Sequence, residues 1–383
     1  MKDPSKELFL GLLRRSLWGK KASVIDKPSK KELVAAIKLA KVQTVMELVA
    51  NEIFNEPSLE EVLNENAKTR LQLYVQSNAL IHSEVNAVLA DIVSELRNHG
   101  IVSVLLKGQG IAEHYRIPEL RLCGDIDLYV GVDNYRRSYD VLKGVVDDMD
   151  DSSVLDGDGK HYHAQWNGIM IEVHQFSEVL SSSSMNCIYQ QYASEGLSKN
   201  LVEIQLGDSK VLTPADNFNA CYIFSHLWNH FLYAGIGLRQ VCDWAVFIHV
   251  RGVKVDKEYL YQILTDLKLM TPWKVFGCIV VDVLGLPEEE FPFYEAKYRK
   301  KALKVLDRMM VEGNFGHETA FMRIPHRGYF YEKLFSLKCY LKRFWGMVSL
   351  FPYHAFQQVK YAFVHGLIRI FRDFGIFVHN LGL

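Results

Sequence analysis

Cysteine is scarce and unpatterned in this chain. Six cysteines are spread over 383 residues, and none stands in a C-x-x-C spacing. That excludes a zinc ribbon and fits buried free thiols in a reducing compartment better than a disulfide framework. Neither sign of charge is in excess: 44 Lys and Arg oppose 45 Asp and Glu, for a net charge of −1. No global field advertises nucleic acid as a partner, although a local basic groove is compatible with such a balance. Uninterrupted apolar runs of bilayer-spanning length are lacking as well. The opening stretch, MKDPSKELFLGLLRRSLWG, mixes acids and bases into its apolar part and has no small-residue cleavage site, so it does not read as a signal peptide. Together these absences predict a soluble, cytoplasmic protein without stable membrane insertion.

What is present is an ordinary globular composition, 49% hydrophobic and 23% charged, in a chain long enough for two domains or three packed segments. Residues 1–99 read as helical. Ser29 with Glu32 forms a capping box ahead of the stripe Leu33, Ala36, Ile37 and Ala40. A second stripe, Val85, Val88, Leu89, Ile92 and Leu96, stops at Gly100. These helices are expected to pack on the segment that follows or to cap it. Arg14 and Arg15 read as a solvated helix face rather than a phosphate site.

Residues 100–213 carry the chemistry. Ile101–Leu106 is short and β-branched enough for a buried strand, and it ends at Lys107-Gly108. A short helical pattern follows through Ile111, Ala112 and Tyr115. The chain turns at Pro118 and enters a second strand, Gly124–Val130. There Asp125 and Asp127 stand two apart, so both carboxylates project from one face. Like charges side by side repel, and a strand built only for packing would avoid them. A divalent cation removes the conflict, because magnesium and manganese prefer oxygen ligands. A metal clamp beside a glycine turn suits a nucleoside triphosphate.

LLKG followed by RLCGDIDLYV resembles the signature of the uncharacterised nucleotidyltransferase family, within the DNA polymerase β-like superfamily. The type IV toxin-like nucleotidyltransferases carry a related KG…DID arrangement. This chain has Lys107-Gly108 where many relatives have glycine-serine. The resemblance implies an α+β fold: a small mixed β-sheet core flanked by N-terminal helices and a C-terminal helical domain, residues 214–383. It further implies an enzyme that moves a nucleoside monophosphate from an NTP to a hydroxyl acceptor and releases pyrophosphate. The acceptor could be a small molecule, a tRNA or a protein. Two ions, Mg2+ or Mn2+, would be held by Asp125, Asp127 and a third carboxylate from a later strand. Gly108 would let the backbone approach the phosphates, the helix starting there would aim its amides at them, and Lys107 and Arg121 would neutralise their charge.

The later strand comes after the helix pattern Asn134–Val146 and an acidic loop, Asp147–Asp158, which lacks EF-hand spacing and reads as a surface turn. His161–Trp166 and Ile169–Phe176 are strand candidates joined by Asn167-Gly168, a type I′ hairpin signal. Met170, Glu172 and His174 share one face of the second strand, Ile171 and Val173 the other. Glu172 is the candidate third ligand; a salt bridge on an edge strand is the alternative. His174 is placed with the phosphate-binding residues, against a purely structural histidine. His161 and His163, with His174, would also suit zinc and a hydrolase.

From Thr213 the chain is helix-rich. HLWNHF and GIGLRQVCDWA resemble the helical portion of the same family and add His226, Arg239 and Asp243 as candidates for handling triphosphate or acceptor. Arg239 and Asp243 stand four apart, which an intrahelical ion pair would also explain. Tyr233 and Trp244 are candidates for base stacking, against an ordinary core role. Val255–Leu284 reads as two more helices and Tyr298–Val311 as another. Between them and the tail, EGNFGH reads as an interhelical loop. The tail sets Lys338, Lys342, Arg343, Lys360, Arg369 and Arg372 against Asp373. It is readable as a packing face, a membrane-surface helix or the acceptor surface of a tRNA-modifying enzyme. The reading from another class is a catalytically inactive nucleotide-binding module.

Overall fold

Asn167 and Gly168 both take positive φ, +50° and +76°, the backbone of a type I′ turn, so the hairpin expected from the sequence forms where it was placed. The structure is a computed structural model describing residues 3–22, 27–150, 159–180, 182–207, 209–314 and 329–360. Helices come first: α1 (Pro4–Trp18), α2 (Lys30–Val42), α3 (Met46–Phe54), the single turn α4 (Pro57–Glu60) and α5 (Glu65–Asn98). The capping box of α2 is complete, with the Glu32 carboxylate accepting from the Ser29 N–H at 2.7 Å. Arg14 and Arg15 do not form a solvated face. Arg15 is 4% exposed against Glu52 and Glu56, and Arg14 donates to the Val283 carbonyl. Two glutamates from neighbouring elements make that burial tolerable, which a one-helix reading does not reveal.

The mixed sheet follows, interrupted by helices: β1 (Val104–Leu105), α6 (Gln109–Ala112), β2 (Ile126–Tyr129), α7 (Val132–Leu142), β3 (Asp148–Met149), β4 (His161–Trp166), β5 (Ile169–His174), α8 (Ser183–Gly196), β6 (Val202–Leu206) and β7 (Ser209–Thr213). Its order is β3-β4-β5-β2-β1-β7-β6. β2 runs antiparallel to β1 and parallel to β5, and β7 runs parallel to β1. The sequence reading assigned no strands to residues 202–213. Their alternation of apolar and polar side chains is short, β6 lies at the sheet edge and β7 between it and β1, and so short a pattern carries little local signal. β1 is also shorter than the apolar run Ile101–Leu106, because the Ile101 N–H is drawn back to the Leu96 carbonyl at the end of α5. Acidic-loop residues 151–158 lie outside the described residues.

One sheet face is apolar. Ile126, Leu128, Ile171 and Val173 are buried in one cluster with the α5 stripe and Tyr135, Tyr139 and Leu142 of α7. The other face carries Asp127, Glu172 and His174, one residue out of phase, as the period of two requires. Over that face lies α9 (Asp216–Tyr233), followed by α10 (Leu238–Arg251), α11 (Lys257–Asp266), α12 (Met270–Asp282), α13 (Arg299–Glu312) and α14 (Tyr329–Leu350). A second apolar cluster joins α1, α2 and α3 to these later helices, centred on Phe224, Trp244, Trp273, Phe276 and Phe291. In the tail, Arg343 donates to the Phe231 and Leu232 carbonyls and pairs with Glu312. Arg369, Arg372 and Asp373 lie outside the described residues, as do the last three residues of EGNFGH. Among the described residues no helix is long and apolar enough to cross a membrane.

Gly277, inside α12, is dictated by space. A Cβ built there would lie 2.3 Å from Cε1 of the buried Phe291. Alanine in a helix interior ordinarily gains about 1 kcal/mol over glycine. Here Gly277→Ala is expected to lose about 1–3 kcal/mol through overpacking. Urea denaturation checks this; a stabilised variant would show the Phe291 packing to be wrong.

Candidate active site

The sheet register assembles an acidic cluster. Asp127 on β2 stands opposite Glu172 on β5 in the parallel pair, and Asp125 sits two residues before Asp127. One oxygen from each of the three carboxylates lies within 4.8 Å of the others. A slip of one residue would turn these charges into the apolar layer, so burial of Ile126, Leu128, Ile171 and Val173 is what holds the register.

Positive charge partly offsets the cluster. Lys107 Nζ sits 2.9 Å from Asp127 Oδ1, and His174 Nε2 lies 3.0 Å from the same oxygen and 3.4 Å from Glu172 Oε2. Asp127 is 1% exposed. Burial pushes its carboxyl upward, but the Lys107 charge and the His174 hydrogen bond win and hold it well below the usual carboxylate range. Glu172 is likewise lowered, burial being outweighed by its hydrogen bond with His174. Asp125 goes the other way, raised by burial and then by the Asp127 charge beside it. That is the signature of a site short of positive charge.

Gly108 follows Lys107 with φ +59° and ψ −117°, a conformation natural only to glycine, and a Cβ there would press to 3.4 Å from the Asp125 carbonyl oxygen. A helix does start here, at Gln109 directly after Gly108, as expected, but its first turn is not built to aim amides at phosphate. α6 is a single turn, and the Gly110, Ile111 and Ala112 N–H groups already donate to the Lys107 and Gly108 carbonyls. A helix that short sums too few peptide dipoles to count.

The carboxylates floor a cavity of about 320 Å³. Lys107 and Gly108 stand at one side, and α9 and α10 supply the opposite wall. Tyr222, His226 and His230 recur at four-residue spacing along α9 and line that wall. His226 Nδ1 is 3.0 Å from Glu178 Oε2, and Lys160 Nζ is 2.9 Å from the other oxygen of the same carboxylate. Burial lowers His226 to about 4 and His230 to about 3, so both rings are neutral at pH 7. Arg121 and Asp243 also line the cavity, bound to each other. Arg121 donates to both Asp243 oxygens at 2.8 and 2.9 Å, and the Tyr115 hydroxyl adds a third bond at 2.8 Å. Asp243 therefore pairs across 122 positions of sequence rather than with Arg239 one turn away. Arg239 donates to the Leu122 carbonyl, and among the described residues no carboxylate lies within ion-pair distance of it. Its Nε, the Tyr222 hydroxyl and Gln240 Oε1 are buried without a hydrogen-bond partner.

Of the ten residues expected to hold metal or nucleotide, all but His174 line this one cavity, and His174 is hydrogen-bonded to one of them, Asp127. Trp244 does not: it is fully buried among Phe224, Trp273 and Phe291. Tyr233 is half exposed and is not among the lining residues. Lys160, Glu178, Tyr222 and Gln240 belong to the site but were not foreseen. Only Tyr222 and His230 carried a local signal, their four-residue offset from His226.

A family model described as uncharacterised nucleotidyltransferase matches residues 29–283, and the chain belongs to that family. It is thus an enzyme that transfers nucleotidyl groups. No curated protein and no solved structure matches the chain.

The Arg121–Asp243 pair makes the wall testable apart from chemistry. Asp243→Ala leaves a guanidinium buried and uncompensated, and is expected to cost about 3–5 kcal/mol in denaturant unfolding. Replacing both partners, Arg121→Met with Asp243→Leu, should recover most of that loss. A cost below about 1 kcal/mol for the single variant would mean that water reaches the pair.

Proposed function

We propose that this nucleotidyltransferase moves a nucleoside monophosphate from an NTP to a hydroxyl acceptor, with Asp125, Asp127 and Glu172 holding divalent ions of the Mg2+ or Mn2+ kind. The observation that carries the reading is the convergence of three carboxylates within 4.8 Å on the floor of a cavity whose other walls bear cations. The donor set is all oxygen, as hard cations require. The raised Asp125 carboxyl is the strain a cation would relieve. Bound there, such ions polarise the phosphate and acidify the acceptor hydroxyl.

The remaining roles fall to side chains of the cavity. Arg239, a guanidinium with no carboxylate at ion-pair distance among the described residues, is placed to take a phosphate oxygen of the triphosphate. Lys107 holds Asp127 ionised and stands where it can pass its hydrogen bond to an incoming phosphate oxygen. Gly108 keeps the turn free of a side chain that would crowd that approach. Arg121, held rigidly by Asp243, contributes positive field without moving. Tyr222, Gln240 and Arg239 present unpartnered buried polar atoms to the cavity, and such atoms call for a polar ligand. His174 positions both Asp127 and Glu172 through one nitrogen. His226, its Nδ1–H directed to Glu178, turns the lone pair of Nε2 toward the ligand as a hydrogen-bond acceptor.

The tRNA reading draws on the basic tail, and there Arg343 is turned inward onto backbone carbonyls and Glu312. Among the described residues Lys338, Lys342 and Lys360 stay exposed, and they form no groove beside the carboxylates, which favours a small acceptor. The inactive-module reading rests on Lys107-Gly108 standing where many relatives have glycine-serine, and the convergence of the three carboxylates speaks against it.

Asp127→Asn should fold as the wild type does and lose nucleotidyl transfer by at least about a thousandfold. Each labelled NTP is incubated with Mg2+ or Mn2+ and cellular small-molecule, RNA and protein fractions, and label transfer and pyrophosphate release are followed. Undiminished transfer by the variant would remove Asp127 from the mechanism.

A further inference from the structure

Glu172 faces histidines as well as aspartates. In the antiparallel pairing of β4 with β5, His161 stands opposite His174 and His163 opposite Glu172, so all four side chains share one sheet face. His174 Nε2 lies 3.4 Å from Glu172 Oε2, and His161 Nε2 lies 3.8 Å from Glu172 Oε1. These separations are long for hydrogen bonds, whose donors and acceptors sit about 2.7–3.2 Å apart. They are close to the spacing of two ligands on one ion. With bonds of about 2.1 Å and tetrahedral angles, ligand atoms stand about 3.4 Å apart.

We infer that His161, Glu172 and His174 form a mixed nitrogen–oxygen site for a first-row transition ion such as Zn2+, joined through Glu172 to the all-oxygen set of Asp125 and Asp127. One ligand atom from each of the three lies within 4.8 Å of the others. Two imidazoles and a carboxylate are the donors that borderline ions favour over magnesium. Nδ1 of both His161 and His174 is buried without a hydrogen-bond partner, and His174 is held through Nε2 by Asp127 Oδ1 at 3.0 Å. Access is open because His161 lines the cavity. His174 Nε2 lies between Asp127 and Glu172, so it marks the junction of the two donor sets. Glu172 would thus belong to two sites of different chemistry, and zinc would compete with the catalytic ions for that carboxylate. The inference shares Glu172 with the transfer reading, but its test is a binding measurement, so the two can fail separately.

The experiment titrates Zn2+ into chelator-stripped full-length protein against a chromogenic zinc chelator, with and without Mg2+ and without nucleotide. Wild type should hold one Zn2+ that an excess of Mg2+ of about a hundredfold does not displace. His161→Ala should weaken Zn2+ at least about tenfold. His161→Asn, which keeps a polar side chain of similar reach, serves if the alanine variant melts early. Asp125→Asn should bind Zn2+ within about threefold of wild type, because it is not one of the three ligands. Wild-type affinity in the His161 variants, or loss of Zn2+ in Asp125→Asn as severe as in His161→Ala, would overturn the mixed site. Failure of nucleotidyl transfer with zinc binding intact would count against the transfer reading alone.

Discussion

Three carboxylates on a largely buried sheet face are an electrostatic load that the rest of the molecule is arranged to carry. At close range in a medium less polarisable than water, like charges repel by several kcal/mol. The fold answers with Lys107 and His174 on Asp127 and leaves Asp125 raised. The opposite face of the same strands is uniformly apolar and cannot be exchanged with it. The cluster is therefore placed by the hydrophobic effect acting on Ile126, Leu128, Ile171 and Val173, not by attraction among its own members. Burial supplies the register, and the register supplies the site.

The helical wall follows a different rule. Its polar groups are held by partners distant in sequence: Asp243 with Arg121 and Tyr115, Glu178 with His226 and Lys160, Arg343 with the end of α9. Arg121–Asp243 is buried on both sides and the other groups are partly buried, each with a partner at hydrogen-bond distance, an arrangement that orders the wall before any ligand arrives. Arg239, Tyr222 and Gln240 are the exceptions, and they face the same space as the carboxylates. A cavity with an ordered frame and a few unsatisfied groups is organised for recognition.

Local features of the fold were readable from the chain. The Asn167-Gly168 hairpin, the capping box at Ser29, the end of α5 near Gly100 and the alternation around Glu172 each depend on neighbours within a few residues. The β6–β7 hairpin escaped notice because short, half-polar strands carry little periodic signal, and the pairing of β7 with β1 is distant in sequence. Pairings escaped for a deeper reason. Nothing near Asp243 in sequence announces Arg121, whereas Arg239 one turn away offers an obvious and incorrect partner. Lys107 was legible as a charge beside the site, but its attachment to Asp127 required the β1–β2 pairing to be known.

The central claim is that the carboxylate cluster exists to hold divalent cations against a triphosphate. Anomalous diffraction from crystals grown with Mn2+ and a non-hydrolysable NTP tests it most directly. A manganese peak bounded by Asp125, Asp127 and Glu172 is expected, with phosphate density reaching Arg239 and Lys107 shifted from Asp127 toward a phosphate oxygen. Triphosphate bound elsewhere, or bound in the cavity with no manganese among the three carboxylates and Lys107 still on Asp127, would contradict it.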